Sequence, residues 1–226
     1  MKHRILFATA CAAGAAAYLP AVSPASAAPP LCGGEPATYV GTSGVDRIKT
    51  TSPDLGDRPV LVMRGGDDRV SIDAADRKTL ICLGPGADQV KLRHTTERRS
   101  TRRDSLIIYG APGDDRVRAR VAKTHIKVFG DSGADLVEGG NAGDHIEGGG
   151  GDDRIFSTRG DDLAIGDGGD DIIVGGDGND LLKGDRGDDF LDGDIPNGRR
   201  GADRGFGGKG RDRCDEIEIP LSCERV

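Results

Sequence analysis

Aromatic side chains are scarce in this chain, and long apolar segments are scarce too. Tryptophan is absent from its 226 residues, and aromatic residues make up only 4% of them. A large aromatic core is therefore excluded, because so few rings cannot bury the area that such a core requires. After the first 27 residues, no segment approaches the eighteen or so apolar residues of a membrane-spanning helix. We expect a thin aliphatic core and no transmembrane anchor.

Recognised catalytic motifs are also absent. The metalloprotease pattern H-E-x-x-H and the hydrolase pattern G-x-S-x-G do not occur, and His94, His125 and His145 are isolated along the sequence. Glycine-aspartate turns begin at Gly41 and leave no room for a separate catalytic domain. The sequence therefore predicts a protein that is not an enzyme.

Glycine is the residue that the chain has in excess. Its 37 glycines in 226 residues are more than twice the average share of about 7%. In the second half, an aspartate recurs every nine residues, behind glycines and ahead of a mostly aliphatic residue. These aspartates are Asp135, Asp144, Asp153, Asp162, Asp171, Asp180 and Asp189. One Gly-Asp-Asp is an ordinary turn sequence, but seven in register indicate a structural repeat.

The copy from Gly175 to Lys183 shows the repeat most clearly. It fits G-G-x-G-x-D-x-U-x, where U is aliphatic, and it resembles the RTX, or haemolysin-type, calcium-binding repeat family. The resemblance implies an all-β fold, a parallel β-roll or β-helix solenoid in which one nonapeptide is half a coil. It also implies calcium between successive turns, with Asp135, Asp153, Asp171 and Asp189 along one edge and Asp144, Asp162 and Asp180 along the other.

The residue types suit that chemistry. Glycine reaches positive φ at little steric cost, so a glycine-rich hexamer can curl with its carbonyl oxygens turned toward one point. Calcium takes six to eight oxygen ligands, and one aspartate per turn supplies the charge that carbonyls lack. The predicted site therefore comprises the seven aspartates and the loop glycines Gly148, Gly151, Gly166, Gly169, Gly175, Gly178, Gly184 and Gly187. The fifth-position residues Asp152, Asp161, Asp170, Asn179 and Asp188 are expected to cap turns or face solvent.

Some copies depart from the pattern. Ala142 replaces the fourth-position glycine before Asp144, and Ser157-Thr158 replaces the opening glycine pair before Asp162. We expect weaker sites at these two loops, above all at Asp162. After Asp189 the next matching aspartates are Asp203 and Asp212. The interval from Asp189 to Asp203 is five residues longer than the nine-residue period, and we place these extra residues in a surface bulge within residues 194–200.

The N-terminal half repeats the theme at a longer pitch. Its G-x-D-x-U aspartates, Asp46, Asp68, Asp88 and Asp115, are separated by 22, 20 and 27 residues. This spacing predicts wider coils with more than one strand per turn, with strands at 60–63, 80–83, 106–109 and 126–129. Calcium is less favoured here, because each turn lacks a partner eighteen residues away. We expect N-terminal β-helical coils over residues 28–130 and a calcium-binding roll with a C-terminal cap over 131–226.

The first residues are typical of a secretory signal peptide. Lys2, His3 and Arg4 give a basic start, residues 5–19 are apolar, and residues 25–27 read Ala-Ser-Ala, a cleavage pattern. We expect residues 1–27 to be removed and the mature protein to be extracellular.

Removal of the signal takes Cys11 with it and leaves four cysteines: Cys32, Cys82, Cys214 and Cys223. An even count in an exported chain predicts disulfides, whereas a zinc site is disfavoured because no C-x-x-C spacing occurs. Three pairings are open. We favour Cys32 with Cys82 and Cys214 with Cys223, because each pair would close one end of an elongated solenoid.

Charge is distributed unevenly along the chain. Residues 131–226 hold 25 acidic and 11 basic residues, whereas residues 91–127 hold 4 acidic and 11 basic ones. The arginines at 98–103, and Arg116, Arg118 and Arg120, form either a solvated loop and face or a surface that contacts polyanions. Nucleic-acid binding is not predicted, because neither stacking aromatics nor a binding motif accompanies the charge.

These features predict a secreted, monomeric, non-enzymatic protein that binds calcium ions and folds on binding them. The alternative is an envelope- or polyanion-binding surface protein that uses the calcium roll as a rigid scaffold. Its contact, for instance with the cell wall, would be the arginine cluster at residues 98–103.

Overall fold

The computed structural model describes residues 30–51, 59–73, 79–94, 106–120, 122–194 and 201–223, and the backbone of residues 6–7. Nearly all of the predicted signal peptide, the arginine cluster at 98–103 and most of the predicted bulge lie outside these residues. In the described part every regular element is a β-strand, and no helix is long and apolar enough to cross a membrane.

The 22 strands are short and follow one another closely along the chain. They are β1 (Leu6–Phe7), β2 (Leu31–Cys32), β3 (Glu35–Pro36), β4 (Tyr39–Val40), β5 (Arg47–Thr51), β6 (Val60–Val62), β7 (Arg69–Asp73), β8 (Thr79–Cys82), β9 (Gln89–His94), β10 (Leu106–Tyr109), β11 (Arg116–Arg118), β12 (Ile126–Ser132), β13 (Leu136–Glu138), β14 (His145–Gly150), β15 (Arg154–Arg159), β16 (Leu163–Gly168), β17 (Ile172–Asp177), β18 (Leu181–Arg186), β19 (Phe190–Asp192), β20 (Arg204–Lys209), β21 (Arg213–Asp215) and β22 (Ile219–Leu221).

Two parallel sheets contain all but two of these strands. The first sheet has eleven strands in the order β1-β4-β6-β8-β10-β12-β14-β16-β18-β20-β22, and the second has nine, β5-β7-β9-β11-β13-β15-β17-β19-β21. From β4 onward the chain alternates between the sheets, so each coil adds one strand to each. The predicted all-β parallel solenoid is confirmed, including more than one strand per turn in the N-terminal half.

Strand register gives the length of each coil. In the C-terminal half, His145 pairs with Leu163 and Leu163 pairs with Leu181, a step of one 18-residue coil. The N-terminal coils are longer, yet their strands pair in the same sheets. Strand β12 crosses residue 130, the boundary that we predicted from the sequence, and it pairs with β10 on one side and β14 on the other. Both sheets therefore continue from the longer coils into the 18-residue coils.

The core is a narrow aliphatic column between the sheets. The predicted inward residues are at most 1% exposed, and they are Val137, Ile146, Ile155, Ile173, Leu182 and Leu191. Ala164 fills the remaining place in this series and is fully buried. In β14 to β18 the other inward position of each strand is a small residue, such as Gly148 or Ser157, so a half-coil buries only one aliphatic side chain. The apolar contribution to stability per residue is accordingly small.

The two disulfides join the cysteines that we paired from the sequence. Cys32 bonds to Cys82 and Cys214 bonds to Cys223. Cys32 belongs to the antiparallel β2–β3 hairpin, which packs on Val60, Val62 and Leu80, a cluster separate from the central core. Since successive strand residues face opposite sides of a sheet, the hairpin covers the outer face of the first sheet. The first disulfide fastens this cover, and the second closes the loop that carries the last strand.

Candidate metal centre

The sixth-position aspartates form two columns along the edges of the solenoid. In each column the Oδ1 atom of one aspartate accepts a hydrogen bond from the backbone amide of the aspartate one coil earlier. Edge column one contains Asp46, Asp68, Asp88, Asp115, Asp135, Asp153, Asp171, Asp189 and Asp212. Edge column two contains Asp144, Asp162, Asp180 and Asp203. The structure thus places the seven predicted aspartates on the two predicted edges.

These carboxylates are buried, and most leave one oxygen without a partner. None of the column aspartates is more than 4% exposed. The second oxygen, Oδ2, is buried and accepts no hydrogen bond in Asp68, Asp88, Asp115, Asp135, Asp153, Asp162, Asp171, Asp180, Asp189, Asp203 and Asp212. An unpartnered buried polar atom is costly, and native structures contain few of them. A full row of such atoms therefore indicates a missing positive partner.

The unpartnered oxygens face a space that only glycine leaves open. A Cβ atom on Gly130 would lie 2.1 Å from Asp135 Oδ2 and 2.2 Å from the carbonyl oxygen of Gly148, one coil later. A Cβ atom on Gly184 would lie 2.0 Å from Asp189 Oδ2 and 2.6 Å from the Gly207 carbonyl oxygen. Carboxylate and carbonyl oxygens thus converge between coils. This is the donor set that calcium prefers in proteins.

Burial makes these aspartates weak acids when no cation is bound. It raises the pKa of Asp153 and Asp171 from 3.8 to about 7 and that of Asp162 to about 8. The hydrogen bond from the preceding coil lowers each pKa, and the neighbouring carboxylates of the column raise it further. Without a positive partner, folding of the columns therefore favours uptake of protons.

The predicted glycines serve two different purposes. Gly148, Gly166, Gly175 and Gly184 lie against the Oδ2 atom of the aspartate five residues later, at 2.2, 2.1, 2.4 and 2.0 Å from an added Cβ atom. The fourth-position glycines Gly151, Gly169, Gly178 and Gly187 have φ between +123° and +150°. A Cβ atom on any of these would also collide with the carbonyl oxygen of a glycine one coil earlier. The first set makes room for the carboxylates, and the second lets the backbones stack.

The fifth-position side chains cap the turns at the surface. Asp152, Asp161, Asp170, Asn179 and Asp188 are all exposed. The backbone amide of Asp170 donates to Asp152 Oδ1, and that of Asp188 donates to Asp170 Oδ1, so each acceptor is the exposed aspartate one coil earlier. This exposed row runs in the opposite sense to the buried columns, in which the acceptor lies one coil later. The expected turn-capping and solvent-facing role is confirmed.

Of the two loops with irregular sequences, the one before Asp144 differs from the others in the hydrogen bonding of its aspartate, and the one before Asp162 does not. Asp144 Oδ2 accepts a hydrogen bond of 2.7 Å from the Gly140 amide, so this carboxylate has no free buried oxygen. The loop before Asp162 keeps the common arrangement, although Thr158 takes a φ of +85° in place of a glycine. We expected the greatest departure at Asp162, but the geometry places it at Asp144.

The N-terminal turns have the partners that their spacing did not reveal. The amide of Asp68 donates to Asp88 Oδ1 across 20 residues, and the amide of Asp88 donates to Asp115 Oδ1 across 27 residues. All three Oδ2 atoms are buried and unpartnered. Sequence reasoning missed this continuity because it required an 18-residue step. The recurring G-x-D core, taken without regard to loop length, is the signal that would have found it.

Comparison with known families also indicates a calcium-binding repeat, in agreement with the buried rows of unpartnered carboxylate oxygens. Residues 129–164 and 165–195 match the family model of the RTX calcium-binding nonapeptide repeat, which comprises 4 copies. Residues 129–195 are RTX repeats. Neither a curated protein nor a solved structure matches the chain significantly. Repeats of this family bind calcium, and Asp135 to Asp189 lie within the RTX repeats, whereas Asp68, Asp88, Asp115, Asp203 and Asp212 lie outside them.

Proposed function

We propose that this is a secreted calcium-binding protein whose RTX roll folds when calcium binds between stacked turns. The observation that carries the proposal is the row of buried, unpartnered Oδ2 atoms in the two edge columns. A second feature supports it independently: carbonyl oxygens from the next coil face the same space. An all-oxygen donor set containing carboxylates fits a hard cation such as calcium.

Within this proposal the residues have separate roles. The aspartates Asp135, Asp153, Asp162, Asp171, Asp180 and Asp189 supply the negative charge, and Asp144 contributes less because its second oxygen is already hydrogen bonded. The loop glycines supply carbonyl oxygens and the space for the carboxylates. Bound calcium would supply the positive charge that allows the buried columns to remain ionised.

We extend the proposed sites along edge column one into the N-terminal half. Asp68, Asp88 and Asp115 satisfy the same conditions as the repeat aspartates: they are buried, each accepts one inter-coil hydrogen bond, and each keeps one unpartnered oxygen. The calcium-binding edge would then be longer than the 67 residues or so that the RTX repeats cover.

Folding on binding follows from the balance between apolar burial and charge. Each half-coil buries one aliphatic side chain but also one carboxylate, and residues 131–226 carry 25 acidic residues. Without cations, repulsion and desolvation of the columns oppose folding, so the binding free energy acts as folding free energy. Extracellular calcium modules have dissociation constants of about 10⁻⁴ to 10⁻³ M. Such affinities would fill the sites only after export.

Secretion rests on two features. The first 27 residues read as a signal peptide, and both disulfides are of a kind that persists in oxidising compartments. Cleavage after Ala27 would also remove β1, which pairs with β4 at the end of the first sheet. The proposed mature protein therefore begins before the β2–β3 hairpin.

The polyanion-binding alternative gains no specific support. Arg116, Arg118 and Arg120 are exposed as predicted, but Arg118 and Arg120 both form ion pairs with Glu138, at 3.7 and 2.8 Å. The arginine cluster at 98–103 lies outside the described residues. Calcium binding is therefore the function that the geometry supports best, and we propose no catalytic role.

Calcium titration of the mature chain tests the proposal. Residues 28–226, with disulfides intact, would be freed of metal by a chelator and titrated with calcium while far-ultraviolet circular dichroism and heat of binding are recorded. We expect β-structure to increase with calcium and to stay low with equal concentrations of magnesium, which is smaller and dehydrates reluctantly. A spectrum that chelator and calcium leave unchanged, with no heat of binding, would contradict the proposal.

A further inference from the structure

Three carboxylates meet where the C-terminal disulfide loop joins the last coils. Asp194 follows β19, Asp203 precedes β20, and Glu218 precedes β22. Each offers an oxygen, and these oxygens all lie within 4.8 Å of one another. Asp203 and Glu218 lie outside the RTX repeats, so this cluster combines residues from three different segments near the end of the chain.

Buried, unpartnered oxygens point into this cluster. Asp194 is only 5% exposed, and neither of its carboxylate oxygens accepts a hydrogen bond. Asp203 is fully buried, and its Oδ2 atom is also without a partner. Asp194 thus has two such oxygens where a repeat aspartate has one. Of the ion pairs that the structure describes, none involves these three acids.

Glu218 takes the place of an aspartate at the end of edge column two. The Asp180 amide donates to Asp203 Oδ1 at 2.7 Å, and the Asp203 amide donates in turn to Glu218 Oε2 at 2.7 Å. The second step spans only 15 residues and ends inside the loop that Cys214–Cys223 closes. Edge column two is therefore completed by the cap and not by another repeat.

A backbone oxygen completes the donor set. A Cβ atom on Gly193 would lie 2.7 Å from Asp203 Oδ2 and 2.3 Å from the carbonyl oxygen of Glu216. This is the arrangement found beside Gly130 and Gly184 in the repeats, with two additional carboxylates next to it. All of these donors are oxygens, which favour calcium over zinc or copper.

We propose that Asp194, Asp203 and Glu218 form a terminal calcium site that fastens the disulfide-closed cap to the last coil. It differs from the repeat sites because three carboxylates share one site. It also links cation binding to the Cys214–Cys223 loop, since Glu218 lies within that loop. A solenoid needs such a cap to protect its last coil from solvent and from fraying.

Native mass spectrometry of residues 28–226 in calcium tests this proposal with Glu218→Gln. Glutamine keeps the size and an oxygen that can accept the Asp203 amide, so the fold is retained while the charge is lost. We expect one calcium ion fewer per chain than in the wild type. The control is Asp215→Asn, an acid of the same loop that pairs with Arg213 and is not part of the cluster, and it should keep every ion.

Reduction of the C-terminal disulfide provides a second, structural readout. In the wild type, calcium should slow the reduction of Cys214–Cys223 by dithiothreitol, and Glu218→Gln should lose this protection while Asp215→Asn keeps it. An unchanged ion count and unchanged protection in Glu218→Gln would overturn the proposal. The repeat sites are judged separately: a wild type that binds several ions supports them whatever Glu218→Gln does, and a wild type with a single, Glu218-dependent ion supports the cap site alone.

Discussion

Asp171 and Asp170 form a matched pair that isolates the effect of a buried charge. Each accepts one inter-coil hydrogen bond of 2.8 Å through Oδ1, from the amide of Asp153 and of Asp188 respectively. Asp170 is exposed, whereas Asp171 is 1% exposed and has an unpartnered Oδ2 atom. Asparagine keeps the size and the Oδ1 acceptor in both cases. A difference between Asp171→Asn and Asp170→Asn therefore reports on the buried charge alone.

The pKa of Asp171 gives the magnitude. Burial raises it from 3.8 to about 7, which at about 1.4 kcal/mol per pKa unit sets an upper limit of roughly 4 kcal/mol. Relaxation of the metal-free protein around the charge and penetration of water reduce this to about 1–2 kcal/mol. We expect Asp171→Asn to stabilise the metal-free protein by that amount at pH 7.5. Loss of the charge should weaken calcium binding by about 1.5–3 kcal/mol, which is about ten- to a hundredfold in the dissociation constant.

The assay is far-ultraviolet circular dichroism of both variants and the wild type, first in chelator with a stabilising osmolyte and urea, and then in a calcium titration. Asp171→Asn should raise both midpoints. More urea is needed to unfold the metal-free form because that form is more stable, and more calcium is needed to fold the protein because binding is weaker. Asp170→Asn should change both by less than about 0.5 kcal/mol, as surface substitutions usually do. Equal calcium midpoints for the two variants would refute the assignment of edge column one to calcium.

Three further predictions follow from the columns. Folding raises the pKa of buried aspartates such as Asp162 from 3.8 to about 8, so the folded metal-free state binds more protons than the unfolded state. The stability of the metal-free protein should therefore be greatest near pH 4 and fall as pH rises to about 8. Circular dichroism in chelator would measure this. An increase in stability over that range would contradict this. Asp144→Asn should weaken calcium binding less than Asp162→Asn, because Asp144 lacks a free oxygen; an equal or larger loss in a calorimetric titration would count against the geometry. Asp115→Asn should remove calcium from the N-terminal half and Asp114→Asn should not, as counted by native mass spectrometry; the same ion count in both variants would confine the sites to the RTX repeats.

The nine-residue period made the C-terminal half predictable. A period that matches half a coil fixes which residue faces inward, so the burial of Ile155 and Ile173 and the opposite edges of Asp153 and Asp162 follow from the sequence. The disulfide pairing was predicted on a different ground, that each pair would close one end of an elongated solenoid, and both predicted bonds are present. For the repeat aspartates and the inward aliphatic residues, a short and regular separation determined the structure.

Features that depend on strand pairing across loops of variable length were harder to predict from the sequence. Asp88 and Asp115 are 27 residues apart, yet they stack because β9 and β11 pair in register, and no fixed period encodes this. The position of Cys32 on the outer face of the first sheet depends on a second apolar face. The continuous run Val60-Leu61-Val62 indicates such a face, since an alternating strand would bury only one side.

Hydrogen bonding inside a loop was not predictable from the repeat pattern. The substitution at Ala142 marks the loop before Asp144 as irregular, but it does not say that the Gly140 amide turns toward Asp144 Oδ2. The opening Ser157-Thr158 departs further from the repeat pattern in sequence, and yet Thr158 adopts the positive φ that the turn requires. The backbone conformation is thus retained by stacking between coils even where glycine is missing.

Anomalous X-ray diffraction from crystals of the mature protein grown in calcium tests the central claim most directly. We predict anomalous peaks beside the Oδ2 atoms of both edge columns, including Asp153 and Asp171, and a weaker one or none at Asp144. Ordered cations only at the exposed row, beside residues such as Asp152 and Asp170, would contradict the account, as would an unchanged roll whose buried columns hold no ion.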